Sequence, residues 1–190
     1  MSELAMPSHA STVIFTYDDY LALPNDGKRY EIIEGELSMT PSPSTKHQNI
    51  ILNLVELLRK HVRVHSLGKV FCSPIDVVFS MTAVVQPDII FVSHEREHII
   101  TKKNIVEAPD LVIEILSEST EHIDRTMKKE LYERYGVREY WIVVPGKQMI
   151  EVYSLQERRY LPPAIYHFTE QLQSPLFSTL SFAVKTAFEK

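Results

Sequence analysis

The chain has little of several features, and each shortage excludes a class of protein. It has one cysteine, Cys72, among 190 residues, so it can form neither an internal disulfide nor a cysteine-based zinc site. Its apolar runs are far shorter than the roughly 20 residues that a membrane-spanning helix needs. Basic residues are also scarce, since 20 Lys and Arg stand against 25 Asp and Glu. The chain is therefore not basic enough overall to coat nucleic acid with positive charge, although this composition does not exclude a local basic groove.

The beginning of the sequence also lacks the basic and then apolar pattern of a secretory signal. We therefore expect a cytoplasmic protein without membrane contact. The length predicts one domain, over residues 13–190, and the polar, unpatterned residues 1–12 predict a flexible arm. No internal repeat or low-complexity tract divides the chain.

Patterns along the first third of the chain predict a helix, a hairpin and a longer helix. Thr16, with an acid three residues later, has the pattern of a capping box that begins a short helix. Residues 29–40 predict a β-hairpin in which Gly35 supplies the positive φ of the turn. Residues 45–65 place apolar side chains three and four positions apart, which predicts a helix with His47 in its first turn.

The rest of the chain alternates strand-like and helix-like segments. A strand, a helix and a strand in direct succession are the pattern of a βαβ unit. The sequence therefore predicts an α/β fold, with a mixed β-sheet flanked by helices and an N-terminal helix and hairpin as an extension. The segments are strands over 70–72 and 75–79, a strand region over 84–92 that Pro87 interrupts at a bulge or edge, a charged loop over 93–107, a strand over 111–116, a helix over 121–135, strands over 139–144 and 149–153, and a closing helix over 182–188.

Two carboxylates lie inside apolar segments. Asp88 precedes an Ile-Ile-Phe-Val run, and Glu114 shares a strand face with Val112 and Leu116, because side chains alternate along a strand. An ionised carboxylate is costly to bury alone, and two adjacent ones repel each other. A hard divalent cation such as Mg²⁺ relieves both costs and can activate a bound water. These residues therefore predict a shared metal site. The structural alternatives are a turn or bulge residue for Asp88 and a buried ion pair with Lys128 or an arginine for Glu114.

The helix after Glu114 adds a cation to this arrangement. Asp124, Lys128 and Tyr132 are spaced by four residues and so line one side of the helix. In a βαβ unit the early part of that helix faces the end of the preceding strand. Lys128 is therefore placed to stabilise negative charge on a phosphate oxygen.

Several segments together resemble the Uma2 family of restriction-endonuclease-like proteins, within the PD-(D/E)xK nuclease superfamily. The similarity runs in order through residues 14–188. It rests on Tyr30-Glu31 with Gly35-Glu36, His47-Gln48, Gln86-Pro87-Asp88, residues 108–117, the Asp124, Lys128 and Tyr132 spacing, and residues 136–143. The resemblance implies a restriction-endonuclease-like fold, a DNA endonuclease that depends on Mg²⁺ or Mn²⁺, and a homodimer. RNA stays open as a substrate.

The resemblance also implies roles for single residues. Asp88 and Glu114 match the metal-binding acids. The usual lysine two residues after the second acid is absent, because Leu116 stands there. The family pattern assigns that place to Lys128 from the following helix, so Asp88, Glu114 and Lys128 are the expected catalytic residues.

Five further residues are candidates for supporting roles, and each has a structural alternative. His47 would touch the phosphate or orient a ligand, or else cap its helix. Glu31 or Glu36 would be an outer metal ligand, or else a solvent-facing hairpin acid. Asp124 would pair with Lys128 or cap its helix, and Tyr132 would pack and bind through its hydroxyl.

One motif and one group of charges point elsewhere. Residues 94–98 match H-E-x-x-H, the pattern of zinc peptidases, but they follow a strand directly and no third ligand motif follows. We expect a charged surface loop there. The second group consists of basic residues that would contact phosphates or belong to a solvated helix face, namely Lys102, Lys103, Arg125, Lys129, Arg134 and Arg138.

The sequence thus predicts a metal-dependent endonuclease acting on DNA. The alternative is a protein that keeps the nuclease fold without activity and binds nucleic acid or another protein. The displaced lysine and the acidic composition favour that alternative.

Overall fold

The computed structural model describes residues 13–24 and 26–189. The arm predicted over residues 1–12 lies outside the described residues. The helices are α1 (Tyr17–Leu21), α2 (Thr45–Val64), α3 (Glu121–Ile123) and α4 (Lys129–Tyr135), with 3₁₀ helices over His94–Ile99 and Val184–Phe188 and a π-helical turn over Asp124–Lys128. The strands are β1 (Arg29–Ile33), β2 (Glu36–Thr40), β3 (Gly68–Cys72), β4 (Asp76–Ser80), β5 (Ala83–Val85), β6 (Ile89–Ser93), β7 (Asn104–Val106), β8 (Leu111–Ile115), β9 (Glu139–Val144), β10 (Met149–Gln156), β11 (Arg159–Tyr160), β12 (Ala164–His167), β13 (Gln171–Gln173) and β14 (Ser181–Ala183).

Two sheets and a short ribbon form the scaffold. The larger sheet has the order β11-β10-β9-β8-β6-β3, with β12 beside β10, and only its β8–β9 pair is parallel among the described residues. The smaller sheet has the order β2-β1-β5-β4-β7, and β13 pairs with β14. This mixed α/β architecture confirms the predicted fold class. The βαβ unit is present because α3, the π-helical turn and α4 form one continuous helix between β8 and β9.

Each face of the larger sheet has its own core, as the alternation of side chains requires. Leu111, Ile113 and Ile115 of β8 belong to the cluster that includes the apolar face of α2. Val112 and Leu116 belong to the opposite cluster, with Leu131 and Tyr132 of α4. Glu114 lies between Ile113 and Ile115 in the strand, so it projects toward the helix of the βαβ unit.

Four local predictions need correction. The segment 84–92 is two strands in different sheets, because Pro87 has no N–H to continue a ladder and the chain crosses from β5 to β6 there. Residues 93–107, predicted as a loop, contain a 3₁₀ helix and β7. The closing helix over 182–188 is wrong, since β14 and a 3₁₀ helix occupy that range. In the hairpin turn Glu34 as well as Gly35 has a positive φ, 54° and 81°, as a type I′ turn requires.

Within the described ranges, none of the helices combines the length and the apolar character that a membrane crossing needs.

Candidate active site

The two acids predicted to share a metal lie side by side at one end of the β6–β8 pairing. The antiparallel register pairs Ile89 with Ile113, and Asp88 and Glu114 are the next residues along their two strands. The backbone N–H of Ile115 donates a hydrogen bond of 2.8 Å to Oδ2 of Asp88. Both acids are at least 95% buried, with exposed fractions of 5% for Asp88 and 4% for Glu114. The sheet therefore holds the two carboxylates at the same place.

His47 reaches this place from the first turn of α2. Ser44 caps that helix by accepting a hydrogen bond of 3.2 Å from the N–H of His47. Nε2 of His47 lies 3.1 Å from Oδ2 of Asp88. The imidazole and the Ile115 amide together fix the orientation of the Asp88 carboxylate.

Glu114 is held by two side chains from the helix that follows it. The hydroxyl of Tyr132 donates to Oε1 of Glu114 at 2.7 Å, and Nζ of Lys128 donates to the same oxygen at 3.1 Å. Burial raises the pKa of Glu114 to about 8, although the ammonium of Lys128 opposes that shift. Burial therefore favours the protonated form of Glu114, and a further cation at the site would favour the carboxylate.

Lys128 lies at the centre of three carboxylates. Its Nζ is 3.1 Å from Oε1 of Glu31, 3.1 Å from Oε1 of Glu114 and 3.5 Å from Oδ1 of Asp124. Burial alone would lower the pKa of Lys128, but the carboxylates, Glu114 first among them, raise it well above its usual range. The ammonium is therefore charged at any ordinary pH.

A π-helical turn presents Lys128 and Asp124. The turn spans Asp124–Lys128, and both of these end residues are buried. Such turns often occur at functional sites, because the extra residue per turn changes the direction of the side chains. Asp124 is further fixed through its backbone, whose carbonyl accepts a hydrogen bond of 3.0 Å from the hydroxyl of Tyr140.

Glu31 comes from the smaller sheet. Its Oε1 accepts a hydrogen bond of 2.7 Å from the backbone N–H of Gln86, in the link between β5 and β6. The smaller sheet thus supplies one carboxylate, the larger sheet supplies Glu114, and Asp88 lies where the chain crosses between them. The candidate site is built at the junction of the two sheets.

The charges at this junction are unbalanced, and this tests whether a metal would fit. Four acidic side chains, those of Glu31, Asp88, Glu114 and Asp124, lie at this junction with the single ammonium of Lys128, which contacts three of them. Oδ1 of Asp124 is buried and has no hydrogen-bond partner among the described residues. Burial also raises the pKa of Asp124. Carboxylate oxygens in this state are the ligands that a hard divalent cation prefers, so the residues fit Mg²⁺ or Mn²⁺.

The ligand set is nevertheless not arranged around an empty centre. Over residues 13–24 and 26–189, no three His, Cys, Asp or Glu side chains converge as a ready group of metal ligands. The ammonium of Lys128 lies among three of the carboxylates instead. A divalent cation would therefore have to share these carboxylates with Lys128.

An open cleft gives access to the site. It has a volume of about 810 Å³, and Asp88, Glu114, Asp124 and Lys128 line it together with His47. The loop before α2, the loop after β8 and the turn after β9 form its walls; their residues are 40–44, 116–121 and 144–147.

Other residues singled out from the sequence lie elsewhere. Glu36 is exposed in the hairpin, and it is not among the residues that line the cleft. The H-E-x-x-H segment begins a 3₁₀ helix, in which Nδ1 of His94 lies 3.1 Å from Oε1 of Glu97. Leu116, at the usual lysine position, is buried in the core.

The three arginines among the basic residues considered as phosphate contacts are engaged by acids. Arg125 pairs with Glu121 and Glu151, Arg134 pairs with Glu34, and Arg138 approaches Asp110. The solvated, charge-compensated alternative therefore describes these arginines better.

Sequence reasoning did not identify two residues that the structure places at or beside the site. Gln86 holds Glu31 through its backbone, which no side-chain pattern reveals. Arg29 lines the cleft, and its position two residues before Glu31 on a strand is the signal that would have found it.

Comparisons with known proteins confirm the predicted family and fold. The Uma2 family model, described as "Putative restriction endonuclease", matches residues 17–185. A crystal structure of "a putative nuclease belonging to DUF820" from Anabaena variabilis matches with a TM-score of 0.77, covering 92% of this chain and 97% of that one. The sequence identity between the two is 24%, so this likeness shows a shared fold. None of the curated proteins matches the chain.

Proposed function

This chain belongs to the Uma2 family, and from that premise we propose that it is a nuclease that hydrolyses phosphodiester bonds of DNA with the help of Mg²⁺ or Mn²⁺. The observation that carries the proposal is the junction of the two sheets. Four buried acidic side chains lie there with one ammonium, and three of the four, Asp88, Glu114 and Asp124, line an open cleft. Such an excess of buried negative charge is costly without a further cation.

Asp88 and Glu114 are the residues that would hold the metal. When bound, Mg²⁺ or Mn²⁺ polarises the phosphodiester and lowers the pKa of an attacking water. His47 and the Ile115 amide keep the Asp88 carboxylate oriented, and Tyr132 does the same for Glu114. These partners leave the carboxylates little freedom to turn away from a ligand.

Lys128 stabilises the negative charge that builds up on the phosphoryl oxygens. It fills the role that the PD-(D/E)xK pattern otherwise gives to a lysine at the position of Leu116. Glu31 and Asp124 hold its ammonium at the site and keep it protonated.

The homodimer that the resemblance implies is part of the proposal, and sedimentation equilibrium would measure it.

The test combines cleavage with metal binding. Supercoiled plasmid is incubated with the protein in Mg²⁺, in Mn²⁺ and in EDTA, and nicked and linear products are measured. We expect products with either metal and none in EDTA. Calorimetry should show metal binding by the wild type that Asp88→Asn weakens strongly, because one metal ligand is lost.

A second candidate function is supported by Lys128 itself. Its ammonium already bridges three carboxylates, as it would in a protein that has kept the fold and lost the metal. Such a protein would bind nucleic acid or another protein without cutting. Absence of both cleavage and metal binding in the experiment above would establish this alternative and overturn the nuclease.

A further inference from the structure

Arg29 differs from the other partly buried arginines of the described chain. Three arginines are neither exposed nor fully buried, and two of them, Arg96 and Arg125, form ion pairs with carboxylates. No such pair forms at Arg29 within residues 13–24 and 26–189. The Nε of Arg29 is buried without a hydrogen-bond partner. Among the described residues, the only hydrogen bond of its side chain is a long one of 3.5 Å, from Nη2 to the carbonyl of Gln86. The guanidinium therefore has unused donors.

The position of Arg29 directs these donors toward the cleft. It is the first residue of β1, and it shares a strand face with Glu31, because side chains alternate along a strand. Two residues along a strand span about 6.6 Å. Arg29 lines the cleft beside the acidic centre, and the oxygens of Glu31 are engaged by Gln86, Lys128 and Thr40.

The electrostatics of the cleft favour a cation at the position of Arg29. Three acids of the site, Asp88, Glu114 and Asp124, line the cleft, so cations along its wall would offset the repulsion of a polyanionic substrate. The N-terminal end of α2 also lines the cleft, and its first turn has Lys46 and no acidic residue. The partial positive charge of the helix end adds to the attraction of an anion beside Arg29.

We propose that Arg29 binds a backbone phosphate of the nucleic acid next to the phosphate that lies at Asp88 and Glu114. This inference rests on the proposed function. A guanidinium donates two parallel N–H···O hydrogen bonds to phosphate oxygens, which a lysine cannot do. Arg29 therefore sets the register of the nucleic-acid strand in the cleft. Arg29 is thus a substrate-binding residue rather than a metal ligand.

The test measures binding apart from cleavage. Fluorescence anisotropy gives the Kd of a labelled DNA duplex in EDTA over a range of salt concentrations, for wild type, Arg29→Gln and Arg29→Lys. Arg59→Gln is the matched control, since Arg59 is exposed on α2 about 18 Å along the helix from His47. We expect Arg29→Gln to raise Kd about tenfold and to reduce the slope of log K against log salt by about one.

Arg29→Lys should keep the salt slope, because the charge remains, and still raise Kd, because the two-pronged contact is lost. In cleavage, Arg29→Gln should raise KM with little change in kcat. Arg29→Lys also serves if Arg29→Gln does not fold, which a melting curve would reveal.

Two failures are distinguishable. If the wild type neither binds nor cuts DNA, the proposed function is overturned together with this inference. If the wild type binds and cuts DNA, and Arg29→Gln has the Kd and the salt slope of Arg59→Gln, only the role of Arg29 is overturned.

Discussion

Glu114 and Glu139 are buried carboxylates on the neighbouring parallel strands β8 and β9, and they differ in their partners. Glu139 is 1% exposed and accepts three hydrogen bonds, from Nε1 of Trp141 at 2.6 Å, Oγ of Ser174 at 2.7 Å and the N–H of Leu176 at 2.7 Å. All three donors are neutral. They fill the surroundings of the carboxylate and tie β9 to the C-terminal segment.

Glu114 has a less complete set of partners. Its hydrogen bonds from Lys128 and Tyr132 both reach Oε1, and its ammonium partner is shared with Glu31 and Asp124. Its carboxylate also lines the open cleft. Burial of an acid in a strand is therefore not by itself a sign of function. The sign is a buried acid whose neighbours leave charge uncompensated where a ligand can enter.

The largest expected effect is a difference in cleavage rate between variants of Glu114 and Glu139. Glu114→Gln keeps the shape of the side chain and removes its charge, so the metal loses a ligand. We expect cleavage to fall by on the order of 10³-fold, since a bound metal contributes several kcal/mol to the barrier. Glu139→Gln, the matched control, should cut within a few-fold of wild type. Equal losses in plasmid nicking by the two variants would remove the distinction between them.

Lys128→Met should show how strongly the acidic centre depends on its one ammonium. Removal of one partner from a buried ionic group costs about 3–5 kcal/mol, because the remaining charges are left unpaired. We expect that loss in urea unfolding at about pH 8 in EDTA, and a smaller loss at about pH 5, because burial raises the pKa values of Glu114 and Asp124 and lower pH favours their neutral forms.

Lys129→Met is the control for Lys128→Met, because Lys129 lies on the same helix with its ammonium 5.4 Å from the centre of the Tyr153 ring. Its loss should cost about 1 kcal/mol or less. Mn²⁺ should restore part of the stability of Lys128→Met by binding the vacated carboxylates. If Lys128→Met is as stable as Lys129→Met, the ammonium of Lys128 does not stabilise the acidic centre.

Glu139→Gln should lower the free energy of unfolding although it leaves cleavage nearly unchanged. The amide NH₂ replaces one acceptor oxygen, so one of the three donors around residue 139 loses its partner. A buried donor left unsatisfied costs about 1–3 kcal/mol. Urea unfolding should show this loss, and Glu139→Asp, with a shorter reach, provides the comparison. Wild-type stability in Glu139→Gln would mean that the hydrogen bonds around Glu139 contribute little.

Much of this contrast is visible in the sequence, and part of it is not. Alternation along the strand correctly predicted that Glu114 shares a face with Val112 and Leu116, and the four-residue spacing predicted that Lys128 and Tyr132 lie on one side of the helix. Both are local regularities of backbone geometry. The βαβ unit follows from the same regularities and brought the helix to the end of β8.

The remaining features depend on contacts between distant segments. Glu31 reaches Lys128 only because the smaller sheet meets the larger one at Gln86, and the packing of one sheet against another leaves no local pattern. Glu139 looks like an ordinary acid at the start of a strand. Its burial follows from the C-terminal segment, where Ser174 and Leu176 close over it.

Glu114 should also give the stability of the protein a pH dependence. Burial raises its pKa from 4.5 to about 8 in the folded protein, so between these values the folded state holds a proton that the unfolded state has lost. The stabilisation by this proton is complete below about pH 4.5 and is lost as the pH rises through about 8. In EDTA the free energy of unfolding should therefore decrease with rising pH, by at most about 1.4 kcal/mol per pH unit.

Glu114→Gln cannot titrate, so its unfolding free energy should fall less steeply over the same range. A residual slope should remain, because burial also raises the pKa of Asp124. The raised pKa of Lys128 lies above this window and contributes no slope within it. Glu139→Gln serves again as the comparison. Burial also raises the pKa of Glu139, so this variant loses the part of the slope that belongs to Glu139 and keeps the part that belongs to Glu114. Urea unfolding at intervals from about pH 5 to about pH 8 measures all three proteins, and parallel lines for wild type and Glu114→Gln would show that Glu114 is ionised throughout.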